Sequence, residues 1–187
     1  MPKKELRPWE TLSRKTILKH GKFLTVESHT IKLPDGQIIP DWAWLIIPSA
    51  VIILPVTAEG KFLCFRQTKY AVEGTTLAPV GGMLEPDESP QEAAKRELLE
   101  EMGYTASDWV PLGSYILEPN RGFASVHLYL ALNATQTAQP DSDDLEDQEI
   151  LFLSKTELEN ALKTGEFKVL AWSAAAAMAI NYLNALK

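Results

Sequence analysis

Polar and apolar positions mix in strand fashion over residues 22–33, Pro34-Asp35-Gly36 supplies turn chemistry, and residues 37–47 return in the same fashion. That pattern predicts an N-terminal β-hairpin. The next run, Ala50-Val51-Ile52-Ile53-Leu54-Pro55-Val56, has no polar member and predicts a strand buried on both faces, with a partner at residues 61–67 beyond the turn at Glu59-Gly60. Residues 71–89, rich in Gly and Pro, read as loop, and Gly81-Gly82 within it permits close backbone approach. Ser89-Pro90-Gln91-Glu92 then sets an N-cap serine, a proline at the first helical position and a glutamate three residues past the cap. Such a cap is worth roughly 1 kcal/mol. It predicts a helix through Met102 that stops at Gly103, a residue suited to the C′ position. Strands are expected at 111–117, 125–132 and 150–153, followed by a second capping box, Ser154-Lys155-Thr156-Glu157, and an alanine-rich helix over 171–186. The alanines at 174–177 suit close packing of that last helix on a sheet.

Composition narrows the functional classes. The chain has 187 residues, so by a prior of roughly 150 residues per domain one principal core is expected. Eighteen basic against 25 acidic side chains give a net charge of −7, which offers no footprint for nucleic acid. The single cysteine, Cys64, excludes an intrachain disulfide and a Cys-rich zinc site. It reads as a small buried hydrophobe and fits a reducing compartment. The longest apolar stretch, residues 42–56, is interrupted by Pro48, Ser49 and Pro55 and is too short to cross a bilayer, and the first residues carry charge without an apolar signal core. The expectation is a soluble cytoplasmic protein with no membrane partner.

Chemistry concentrates on the first helix. Glu97, Glu100 and Glu101 stand at i, i+3 and i+4, which places three carboxylates on one narrow face. Two carboxylates about 6 Å apart repel by roughly 0.7 kcal/mol at the dielectric of water and about four times that near a protein surface, so something must compensate. Every donor is an oxygen, and a hard divalent cation such as Mg²⁺ or Mn²⁺ matches that set where zinc favours His or Cys. Ala93 and Ala94, a turn earlier, leave the face open. His20, His29 and His127 are scattered and form no nucleophilic triad; His127, alone on a strand, reads as structural.

From the glycine loop the chain runs Gly82, five residues, Glu88, seven residues, Arg96-Glu97-Leu98, one residue, Glu100-Glu101, one residue, Gly103-Tyr104. This resembles the box of the Nudix hydrolases at its fixed positions, with Tyr104 in a slot that more often holds an aliphatic residue. The resemblance implies an α/β/α Nudix sandwich with a mixed sheet over residues 49–187 and a small N-terminal antiparallel β extension over 1–48 that serves dimerisation. It implies Glu97 and Glu101 as leading metal ligands, Glu100 as a further ligand or a base for water, and the Gly81 carbonyl as a ligand. Glu88 and Arg96 are expected to pair and hold the loop on the helix, with Gly82 and Gly103 structural. The reaction implied is hydrolysis of a P–O–P linkage with no covalent intermediate.

The wider layout, Leu33-Pro34-Asp35-Gly36, then the strand at 51–56, then Arg66-Gln67-Thr68-Lys69-Tyr70, and later Pro119, is similar to the ADP-ribose pyrophosphatase branch of that family. The implied substrate is a nucleoside diphosphate sugar, ADP-ribose first, giving AMP and ribose 5-phosphate. The alternatives are GDP-mannose, NADH or another nucleoside diphosphate derivative, or a module that senses nucleotides without cleaving them. The sequence departs from the branch at Ala78, at Asn120-Arg121-Gly122 and at Lys69. Arg66, Lys69 and Arg121 are candidate phosphate contacts. Trp42 and Trp44, on one side of a strand, are candidates to stack on a base, with plain sheet packing or a partner subunit as the other readings. The acidic stretch 141–149, six acids in nine residues, sits where the branch keeps a mobile glutamate; Glu146 is the first choice to position or deprotonate water and Glu149 the second. A homodimer follows by analogy with that branch.

Overall fold

A computed structural model describes residues 6–141 and 147–186. The chain divides into two compact units, one made of Met1–Pro48 with Ile116–Ala124 and the other of Ser49–Tyr115 with Ser125–Lys187.

The first unit holds an antiparallel sheet in the order β1 (Glu10–His20), β2 (Leu24–Lys32), β3 (Ile38–Ile46). The hairpin expected from the sequence is β2–β3, turning at Gly36. β1 was not expected: its eleven residues are exposed throughout, so it shows none of the period-two burial by which a strand is read. Within this unit Trp42 donates its indole N–H to the Asn120 carbonyl at 2.7 Å, and the Leu45 amide donates to the Arg121 carbonyl at 2.8 Å.

The second unit is built on a seven-stranded mixed sheet in the order β10 (Gln148–Leu153), β5 (Phe62–Lys69), β4 (Ala50–Thr57), β9 (Ser125–Gln136), β7 (Tyr104–Thr105). β6 (Val72–Ala78) pairs with β5 and β8 (Asp108–Ile116) with β9. β4 and β9 run parallel, Val51 opposite His127 and Ile53 opposite Tyr129, while β5 runs antiparallel to β4, β6 and β10. β4 is buried on both faces, as its unbroken apolar run demands. β6 replaces part of the loop expected over 71–89: Gly74 takes a positive φ in its first half, and the apolar end Leu77-Ala78 packs into the core.

Helices cover the two faces. Helix α1 (Pro90–Met102) sets Ala93, Ala94, Leu98 and Met102 against Val51, Ile53, Leu63, Phe65 and Ala131. Helices α2 (Lys155–Lys163) and α3 (Leu170–Ala185) cover the opposite face, where Leu158, Ala161, Ala176 and Ala179 meet Leu54, Phe62, Cys64, Leu77 and Leu130. The alanines Ala175, Ala176 and Ala179, all fully buried, let α3 lie close to the sheet. The architecture is the expected α/β/α arrangement with a mixed sheet. Both capping boxes form: the Ser89 and Ser154 hydroxyls accept from the Glu92 and Glu157 amides, and those glutamates accept from the serine amides. Gly103 closes α1 in the left-handed region at φ 73°. Cys64 is buried, and burial pushes its thiol up to about 12. Among the described residues no helix is long and apolar enough to cross a membrane.

Candidate active site

The loop 79–89 reaches the start of α1 along β4. The Val51 amide donates to the Gly82 carbonyl at 2.9 Å and the Ile53 amide to the Val80 carbonyl at 2.8 Å, so the glycine pair lies against β4 like a short extra strand. Close approach is the reason for both glycines. A Cβ on Gly81 would stand 2.3 Å from the Val51 carbonyl oxygen, and one on Gly82 would stand 2.1 Å from Glu97 Oε1. The Glu97 carboxylate therefore rests on bare backbone, and the residue is 8% exposed. Beside it the Gly81 amide donates to Glu101 Oε2 at 3.2 Å.

Arg96 organises the rest. Its Nε donates to Glu88 Oε1 at 2.8 Å and its Nη2 to Glu88 Oε2 at 3.0 Å, a bidentate pair, while Nη2 also reaches the Met83 carbonyl at 3.1 Å. Nη1 bridges Glu97 Oε1 at 2.8 Å and Glu100 Oε2 at 3.0 Å. A guanidinium has five N–H donors, and all five are used. The hydrogen bonds from Glu88 first, and then from Glu100 and Glu97, raise the affinity of Arg96 for its proton against the opposing effect of partial burial. In return the Arg96 hydrogen bond holds Glu88 below its ordinary carboxylate value. The clasp ties the loop to the helix and supplies positive charge to Glu88, Glu97 and Glu100.

A hard divalent cation fits this donor set, because the only groups offered are carboxylate and backbone oxygens. The Gly82 cradle adds a second reason: it leaves room for the Glu97 carboxylate against the loop backbone. Among the described residues no group of three or more His, Cys, Asp or Glu stands in metal-holding geometry, and Arg96 Nη1 bonds to both Glu97 and Glu100.

The other candidate residues are placed as follows. Glu146 lies outside the described residues. Glu149 pairs with Arg66 across β10 and β5, and strand alternation puts both on the side of Cys64 and Leu151, under α2 and α3 and not under α1. Arg66 donates there to Glu166 Oε2 at 2.6 Å. The structure thus does not bring Arg66 and Glu149 to the face that carries Glu97, Glu100 and Glu101; the strand was readable from its residues, but which of its faces looks at α1 was not. Lys69 ends β5, half-buried. In the N-terminal unit Arg121 stacks on Trp42 with its guanidinium carbon 4.2 Å from the ring centroid, and Trp9 meets Trp42 edge-on at 5.3 Å. Trp44 stacks on His29 at 5.1 Å and packs against Gly122, where a Cβ would fall 1.9 Å from the indole. Both tryptophans thus have packing partners within that unit. Sequence reasoning passed over the contact of Ser114 with His127 Nδ1 at 2.7 Å, because it depends on how β8 pairs with β9.

With this geometry in view, comparison with known proteins is informative. Residues 47–173 match the NUDIX domain model, and residues 9–45 match that of the nucleoside diphosphate sugar hydrolase N-terminal domain. The chain is 31% identical over 179 residues to an ADP-ribose pyrophosphatase of Bacillus subtilis (strain 168), covering 94% of this chain and 95% of that one. It is 26% identical to a methanol dehydrogenase activator of Bacillus methanolicus, over 88% of this chain and 86% of that one. A crystal structure of an ADP compounds hydrolase superposes with a TM-score of 0.81 at 21% identity over 98% of both chains, a likeness of fold. The box residues, the sandwich around them and these matches agree: the chain belongs to the Nudix hydrolase family.

Proposed function

We propose that the protein hydrolyses the pyrophosphate bond of a nucleoside diphosphate sugar, ADP-ribose first, to AMP and ribose 5-phosphate, with Mg²⁺ as cofactor and Mn²⁺ as a substitute. The observation that carries this reading is the seat of Glu97 on Gly82, with Glu101 on the Gly81 amide next to it and Glu100 on the same helix face. The ADP-ribose pyrophosphatase among its relatives supports the choice of substrate.

Glu97, Glu100, Glu101 and the Gly81 carbonyl are the groups to hold the ion. When bound, a divalent cation neutralises phosphoryl oxygens and makes water nucleophilic near neutral pH. The protein's own groups do the positioning. Gly82 leaves room for the Glu97 carboxylate, the Gly81 amide orients Glu101, and Arg96 with Glu88 keeps the loop on α1. Glu100 is the group assigned to take a proton from the attacking water, a role that its greater exposure than Glu88 and Glu97 supports. Glu146 is the first choice to position or deprotonate that water, and Glu149, on the α2 and α3 side of the sheet, is the second.

The same reading includes a cytoplasmic homodimer formed through the N-terminal unit. β1 presents Leu12, Ile17 and Leu18 to solvent along an edge strand, the kind of edge that proteins cover by pairing.

The test is incubation of the purified protein with Mg²⁺ and a panel of nucleotide sugars, dinucleotides and nucleoside triphosphates, with AMP or phosphate release as readout. ADP-ribose is expected to give the highest kcat/KM, and Glu101→Gln to lose several orders of magnitude in turnover with normal folding. Turnover confined to triphosphates, or binding of ADP-ribose without cleavage, contradicts the reading.

A further inference from the structure

On the face of the sheet under α1, which also carries the buried Gln67, β9 places His127 across β4 from the glycine loop. Along β9 Val126, Leu128 and Leu130 join the cores under α2 and α3, while Tyr129 and Ala131 join the core under α1, so His127 projects on the α1 side. Its parallel partner in β4 is Val51, which lies in the α1 core and whose amide holds the Gly82 carbonyl at 2.9 Å. His127 is therefore one strand away from the glycine pair, on the face that carries the carboxylates. It is half-buried, Ser114 Oγ meets its Nδ1 at 2.7 Å, and among the described residues Nε2 has no hydrogen-bond partner.

A polar ring steered by a neighbouring strand and left with one nitrogen unengaged next to an acidic box has a chemical use. The proposed substrate is an anion, the chain is itself acidic, and two arginines of this unit are committed: Arg96 has spent all five donors on the box, and Arg66 pairs with Glu166 on the opposite face. A Ser114 hydroxyl that donates to Nδ1 leaves the ring proton on Nε2, which turns that nitrogen into a donor.

We propose that His127 is a substrate-contacting residue whose Nε2–H donates to a phosphate oxygen of the bound diphosphate, with Ser114 as the residue that positions the ring. The proposal rests on the hydrolase reading above and adds a donor outside the box.

The experiment measures kcat and KM for ADP-ribose with Mg²⁺ in the wild type and in His127→Ala, His127→Gln and Ser114→Ala, alongside Mn²⁺ affinity and thermal melting of each. His127→Ala is expected to raise KM by roughly 10-fold or more, the scale of one hydrogen bond to a charged group, with Mn²⁺ affinity unchanged. His127→Gln, whose amide nitrogen reaches a similar point, recovers most of the loss, and Ser114→Ala raises KM by less than His127→Ala. Wild-type KM and kcat in His127→Ala overturn the proposal, as does a His127→Gln variant as impaired as His127→Ala, since that outcome marks a ring needed only for packing. Should His127→Ala fail to fold, the nitrogen NMR signal of His127 Nε2 decides in the slow Glu101→Gln background: a shift at saturating ADP-ribose supports the contact, and an unmoved signal overturns it. A wild type that cleaves no diphosphate removes the hydrolase reading and this contact with it, whereas an active wild type with an indifferent His127 removes this contact alone.

Discussion

Strands β1 and β4 are both extended runs with apolar members, and their surroundings differ completely. In β4 six of eight residues are buried, and in β1 none of eleven is. Burying a Val, Leu or Ile side chain contributes about 1.5–3 kcal/mol, so β4 is fixed by its own unit. β1 leaves Ile17 64% and Leu18 50% exposed, and its sheet is held by strand pairing with little core of its own. The comparison separates residues that make the fold of the box unit from residues whose apolar surface is offered to something else.

The largest effect expected from breaking this contrast is in the core. Leu98→Ala, at a fully buried position under α1, should lower stability by about 2–5 kcal/mol in denaturant unfolding. Ile17→Lys should leave that unfolding transition nearly unchanged and, if the proposed homodimer forms through β1, give monomer in light scattering where the wild type gives dimer. An Ile17→Lys protein still dimeric at micromolar concentration removes the N-terminal unit from the interface.

The two box glycines sharpen the contrast within one unit. A Cβ at position 81 meets the backbone of β4, which has nowhere to move, and Gly81→Ala should cost about 1–3 kcal/mol in unfolding experiments. A Cβ at position 82 meets only the end of a glutamate side chain, which can swing away. Gly82→Ala should therefore melt close to the wild type and yet lose ADP-ribose turnover by roughly 100-fold, because Glu97 is displaced. Equal stability losses at 81 and 82, or full turnover in Gly82→Ala, run against this account.

The smallest effect concerns acid. Its serine cap holds Glu157 below the ordinary carboxylate value of 4.5, so its contribution to stability is complete above that pH and fades as pH falls through the lowered value. The small gap in melting temperature between the wild type and Glu157→Ala at pH 7 should close in the acid limb; a gap constant from pH 7 to pH 2.5 contradicts the assigned charge.

What the sequence made legible follows the same division. The box spacing, both capping boxes, the left-handed Gly103 and the unbroken run of β4 are local signals, and each stands in the structure where its residues require. β1 was illegible because neither of its faces is buried, and β6 because Gly74 and its Gly/Pro-rich neighbourhood read as loop although Leu77 and Ala78 belong to the core. Tertiary facts were hidden for a different reason. Whether Arg66 looks toward α1 or toward α3 is a question of strand parity, and the meeting of Ser114 with His127 depends on the pairing of two strands with Gly113 at φ 125° just before the serine. The three-way engagement of Arg96 was half visible: its pairing with Glu88 follows from the box, while its reach to Glu97 and Glu100 needs the side-chain geometry.

The proposed function requires Glu97, Glu100 and Glu101 on α1 to hold a divalent cation. Titration of the metal-free protein with Mn²⁺, followed by electron paramagnetic resonance, tests it most directly. The account predicts saturable binding by the wild type and affinity at least roughly 10-fold weaker in Glu101→Gln, with unchanged melting. No bound Mn²⁺ in the wild type, or equal affinity in the variant, would contradict it.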